Sequence, residues 1–103
     1  MKSLSPDEVR ALNDAGGIDL IDVREPHEWI GGHLPGARLV PLGTFLRDPR
    51  GNVRGDRAIF VCAHGLRSVT AGVAAESAGV AEVFSLDGGI MWWVARGHPL
   101  DLE

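Results

Sequence analysis

Apolar and polar positions along this chain switch between two periods, one suited to helices and one to strands. Ser5-Pro6-Asp7-Glu8 predicts a helix start, with Ser5 as N-cap, Pro6 at the first helical position and Glu8 completing a capping box. Val9 and Leu12 are spaced for one buried face, Gly16-Gly17 stops the helix, and the preceding Lys2-Ser3-Leu4 suits an edge strand. Residues 18–23 form an apolar run broken by Asp19 and Asp22, the pattern of a strand covered on both faces. Leu39-Val40-Pro41 holds only a short strand, because Pro41 donates no ladder bond, and residues 42–46 fit one or two helical turns. Residues 47–57 are punctuated by Gly, Pro, Asn and Asp and read as loop.

Residues 58–61 predict a further strand that runs into Cys62. Residues 68–78 then carry a helical pattern with Val69, Val73 and Ala74 on one face, and its alanines allow close approach to a sheet. Residues 82–86 are another short strand, Asp87-Gly88-Gly89 a turn, and residues 90–96 a last helix with Ile90, Trp93 and Val94 at helical spacing. Strands alternating with helices imply right-handed crossovers. The fold class is therefore α/β, a mainly parallel central sheet of four to five short strands with helices on both faces.

The stretch Ala58-Ile59-Phe60-Val61-Cys62-Ala63-His64-Gly65-Leu66-Arg67-Ser68 is a strand, a tight loop and a helix start in succession. Successive backbone N–H groups in such a loop, with the positive end of the helix behind them, attract negative charge. A cysteine at the rim would sit in a field favouring the thiolate, its reactive form. Such a cysteine is also a common small core residue, and position alone does not separate the two readings.

The pattern Cys62-x-x-Gly65-x-Arg67-Ser68 resembles the active-site loop of rhodanese (sulfurtransferase) domains. Leu20-Ile21-Asp22-Val23-Arg24-Glu25, Glu28-Trp29, Gly32-His33-Leu34-Pro35-Gly36-Ala37 and Asp87-Gly88-Gly89 with Trp93 resemble the family's other signatures, in the same order, over about residues 4 to 100. The resemblance implies a cysteine nucleophile at Cys62 that takes sulfane sulfur from thiosulfate or a persulfide and passes it to cyanide or a cellular thiol. The amides of Ala63, His64, Gly65, Leu66, Arg67 and Ser68 would hold the anionic forms of that sulfur, each such donor being worth about 2.7–4 kcal/mol in comparable sites. Arg67 has two readings, binding the anionic end of a donor or pinning the loop, with substrate the slightly favoured one. His64 either carries a proton to a leaving thiol or is an exposed loop residue. Two rivals share the cysteine. One is a phosphatase or arsenate reductase, whose loop needs five residues between Cys and Arg where this chain has four. The other is a non-enzymatic persulfide carrier or docking module.

Several other residues have structural readings beside functional ones. Arg24 and Glu28 have the i, i+4 spacing of an ion pair, Asp22 suits loop N–H groups, Trp29 suits packing, and His33 suits a hydrogen-bonded turn. Trp92, where the family usually has a small residue, lines the mouth of the site or marks a self-association patch. The four arginines and two aspartates of residues 47–57 make either a solvated loop or a positive patch.

Composition narrows the setting. The chain of 103 residues is long enough for one domain, residues 1–103, and its 45% hydrophobic and 23% charged content is that of a globular protein. A net charge of −4 gives no reason to expect nucleic acid. A single cysteine forms no internal disulfide, no signal-peptide pattern opens the chain and no apolar run is long enough to span a membrane, so a cytoplasmic address is expected. One thiol with scattered histidines falls short of a metal site, and no cofactor is expected. The expected partners are a small anionic sulfur donor and a thiol acceptor or sulfur-relay protein, with the chain a monomer or weak homodimer.

Overall fold

A computed structural model describes residues 1–102. The elements in chain order are β1 (Lys2–Leu4), α1 (Pro6–Ala15), β2 (Asp19–Asp22), α2 (Pro26–Trp29), β3 (Arg38–Leu39), α3 (Leu42–Arg47), β4 (Arg57–Val61), α4 (Leu66–Ser77), β5 (Glu82–Leu86) and α5 (Gly89–Ala95). The strands form one five-stranded sheet in the order β1-β5-β4-β2-β3, every pairing parallel. The expected α/β architecture is the observed one. No helix among the described residues is long and apolar enough to cross a membrane.

The capping box at α1 is present: Glu8 N–H donates to Ser5 Oγ at 3.2 Å and Ser5 N–H to Glu8 Oε1 at 2.9 Å. β4 is central, with neighbours on both sides and helices over both faces, so Ala58, Ile59, Phe60 and Val61 are all fully buried. Alternation along it divides the core. Ala58, Phe60 and Cys62 face Phe45 of α3 and Ala71 and Ala75 of α4. Ile59 and Val61 face Val9 of α1 and Ile90 and Trp93 of α5. Cys62 thus belongs to the face covered by α4, at the carboxyl end of the central strand, where open α/β sheets bind ligands.

Two helices bury faces other than those expected. The covered side of α4 is Ser68, Ala71, Gly72 and Ala75, while Val73 stays 49% exposed. The helix lies too close to the sheet for valines: a Cβ on Gly72 would stand 2.9 Å from Met1 Cγ and 3.3 Å from Val83 Cγ1. In α5 Ile90 and Trp93 are buried as expected, but Val94 is 49% exposed, because this short helix turns only a narrow stripe to the sheet. Boundaries also shift slightly: α4 begins at Leu66 rather than near Ser68, α5 at Gly89, and β3 is Arg38–Leu39.

Candidate active site around Cys62

The site follows from how the chain leaves β4. Val23 N–H donates to Val61 O at 3.0 Å and carries the sheet to its carboxyl edge, after which residues 62–65 turn toward α4. Gly65 makes the turn at φ +95°, a left-handed conformation that side chains disfavour, and a Cβ there would meet Gly88 N at 3.2 Å. The first turn of α5 holds the outgoing strand from the other side, with Ile90 N–H donating to Cys62 O at 2.9 Å and Met91 N–H to Ala63 O at 3.2 Å. Backbone packing here excludes a side chain at Gly89, where a Cβ would stand 2.3 Å from Ala63 O.

Inside the loop, the donors converge on sulfur. Gly65 N–H points at Cys62 Sγ at 3.1 Å and Ser68 N–H at 3.3 Å, while the Cys62 thiol itself donates to Ser68 Oγ at 3.5 Å. The amides of Leu66 and Arg67 open α4 and have no acceptor within the helix. Two backbone N–H groups and the N-terminal end of a 12-residue helix thus form a polar cradle around Sγ. Cys62 is 1% exposed, yet its environment is polar on the loop side, unlike that of a core cysteine.

Arg67 does not point its guanidinium freely into the site. Its two terminal nitrogens donate to the two carboxylate oxygens of Glu28, at 2.7 and 2.9 Å, a bidentate pair that ties the loop to α2. Arg67 holds the Glu28 carboxyl down to about 2, and Glu28 in turn raises the guanidinium. The expected Arg24–Glu28 ion pair is therefore replaced. Arg24 instead pairs with Asp22, fully buried, donating from Nε at 3.0 Å and Nη2 at 2.9 Å to Asp22 Oδ2. Arg24 reaches only the backbone oxygen of Glu28, at 3.3 Å, and also donates to Gly32 O at 2.7 Å. Sequence spacing identified both charged residues but not their partners, since Arg67 competes for the carboxylate from 39 residues away.

His33 sits in a buried turn, its Nδ1 3.2 Å from Leu34 O and its ring stacked on Trp29 at 3.7 Å. His64 is exposed on the loop, Leu66 is 80% exposed at the start of α4, and Trp92 is 47% exposed on α5. Sequence reasoning missed three contributors: Glu28 as the anchor of Arg67, Gly89 as the seat of the loop, and Ser85, whose signal was a polar residue in the apolar run Val83-Phe84-Ser85-Leu86. In the arginine-rich stretch, Arg50 pairs with Asp56 of the same segment at 3.5 Å, and Arg57, which opens β4, pairs with Glu82 of β5 at 2.7 Å. Among the described residues no three His, Cys, Asp or Glu side chains converge to hold a metal ion.

A parallel sheet with a thiol at the carboxyl end of its central strand, ringed by main-chain amides from a following helix, defines a class of α/β domains built around a cysteine loop. This chain belongs to the rhodanese-like domain family, whose model matches residues 5–96. It is 33% identical to the thiosulfate sulfurtransferase GlpE of Stutzerimonas stutzeri, over 99% of this chain and 92% of that protein. It is 37% identical to the uncharacterized protein YqhL of Bacillus subtilis, over 90% of this chain and 72% of the relative. The crystal structure of a rhodanese-related protein from Thermoplasma volcanium superposes with a TM-score of 0.87 at 29% identity, covering 100% of both chains.

Proposed function

We propose that the protein is a sulfurtransferase that moves sulfane sulfur through a persulfide on Cys62. The Cys62 thiolate attacks the outer sulfur of thiosulfate; a new S–S bond forms while sulfite leaves with the electron pair of the old one. Cyanide or a thiolate then attacks the terminal sulfur and returns Cys62 to its starting form. The observation that carries this reading is the pair of amides, from Gly65 and Ser68, aimed at Sγ at 3.1 and 3.3 Å. They stabilise a sulfur that bears no proton, with no separate general base required. The substrate-facing ring comprises Ala63, His64, Gly65, Leu66, Arg67 and Ser68, with Arg67 acting through its Glu28 anchor to hold the loop's shape.

Sulfur rather than phosphate is supported by size. Four residues separate Cys62 from Arg67, and the loop closes until Cys62 is 1% exposed, which suits a slim terminal sulfur better than a tetrahedral phosphoryl group. Parallel assays test the choice: thiocyanate production from thiosulfate and cyanide, and p-nitrophenol release from p-nitrophenyl phosphate. Cys62-dependent thiocyanate with no phosphatase activity is the expected result. The reverse pattern would overturn the reading.

A further inference from the structure

Ser85 interrupts the apolar run that follows Glu82 in β5, on the side turned to α4, and is 1% exposed. Its hydroxyl lies 2.7 Å from Ser68 Oγ, itself fully buried, and Ser68 Oγ lies 3.5 Å from Cys62 Sγ. The hydrogens along this line can be counted. There are two contacts, sulfur to Ser68 and Ser68 to Ser85. A thiol brings one S–H and each serine one O–H, so one hydrogen is left over among three buried groups. A thiolate, or a Cys62 sulfur already bonded to a second sulfur, leaves only the two hydroxyl hydrogens, one for each contact.

Direction matters as well as number. Among the described residues Ser68 is the hydrogen-bond partner of the Ser85 hydroxyl, so an O–H turned elsewhere would be a buried donor without an acceptor. With Ser85 donating to Ser68, the hydrogen of Ser68 is left to point at sulfur, and donation along the chain strengthens it. We propose that Ser85 is a positioning residue that, through Ser68, keeps a hydroxyl donated to Cys62 Sγ and thereby favours the two hydrogen-free forms of that sulfur, thiolate and persulfide. The proposal rests on Cys62 being the sulfur-carrying thiol. The charged groups around the sulfur are Arg67 with its partner Glu28 and the buried pair Arg24 and Asp22, with His64 exposed on the loop, and changes at Ser85 alter none of them.

The test compares Ser85→Thr, which keeps a hydroxyl, with Ser85→Val, which has nearly the same shape without one. Alkylation of Cys62 by iodoacetamide is followed across pH by intact mass. The valine variant is expected to react about threefold more slowly than the threonine variant near neutral pH and equally fast on the alkaline plateau, where every thiol is ionised. Ser85→Ala, which adds no bulk, should repeat the loss, and Ser68→Ala should deepen it to about tenfold. Coincident profiles for the valine, alanine and threonine variants, or a deficit equal at every pH, would overturn the proposal. If the native chain takes no sulfur from thiosulfate while the valine-to-threonine gap persists, the sulfurtransferase reading fails and with it the persulfide half of the proposal, while the hydroxyl's hold on the thiolate stands.

Discussion

Residues 47–57 and residues 62–68 both mix glycine with arginine, yet they direct their polar groups oppositely. In the first, Arg50 and Arg57 reach out to the exposed carboxylates of Asp56 and Glu82, and the loop's own amides are turned inward on its turns, as when Gly51 N–H donates to Asp48 Oδ1 at 3.1 Å. In the second, the arginine is taken out of play by Glu28 and the backbone supplies the polar surface, two amides meeting on one sulfur. Four arginines advertise a binding patch more loudly than one, but count is a poor guide. A site needs donors that converge, and only a loop pinned at both ends makes them do so.

The sharpest way to break that contrast is to unseat the pinned loop. Gly89→Ala forces a Cβ against Ala63 O in a backbone at φ +66°, so it should cost about 2–4 kcal/mol in urea unfolding and remove most sulfur uptake. Untying the arginine should do less. Glu28→Gln weakens the bidentate pair and is expected to slow sulfur uptake about threefold to tenfold, by the loss of a charged hydrogen-bond pair. Faster uptake in that variant would mean that a freed Arg67 binds the donor instead.

Acid sharpens the same point. The folded protein holds the Glu28 carboxyl at about 2, below its ordinary 4.5, so the folded state binds fewer protons there than the unfolded chain. The stability this supplies is complete above pH 4.5 and fades as pH falls toward 2. Native protein should therefore lose stability through that window more steeply than Glu28→Gln, as read by urea midpoints at successive pH values. The smallest effect belongs to the other loop: Arg50→Ala should change stability by no more than about 0.5 kcal/mol and leave sulfur uptake unaltered.

How much of this was legible in the sequence varies with the range of the interaction. Local signals read well: the Ser5–Glu8 capping box, the buried run into Cys62 and the turn at Gly65 all follow from neighbouring residues. Pairings across the fold did not. Arg24 lies four residues from Glu28 but bonds Asp22, because two carboxylates and two guanidiniums meet at the strand ends and the bidentate geometries decide. The covered face of α4 was misread for a related reason. Hydrophobicity favours valine at an interface, but the spacing between this helix and the sheet admits only Ser68, Ala71, Gly72 and Ala75.

The most direct measurement is intact mass after incubation with thiosulfate, for the native chain and for Cys62→Ser. The native protein should gain the mass of one sulfur atom and lose it again on adding cyanide, while the variant gains nothing. A native chain that stays at its original mass, or a serine variant that still gains sulfur, would contradict the account.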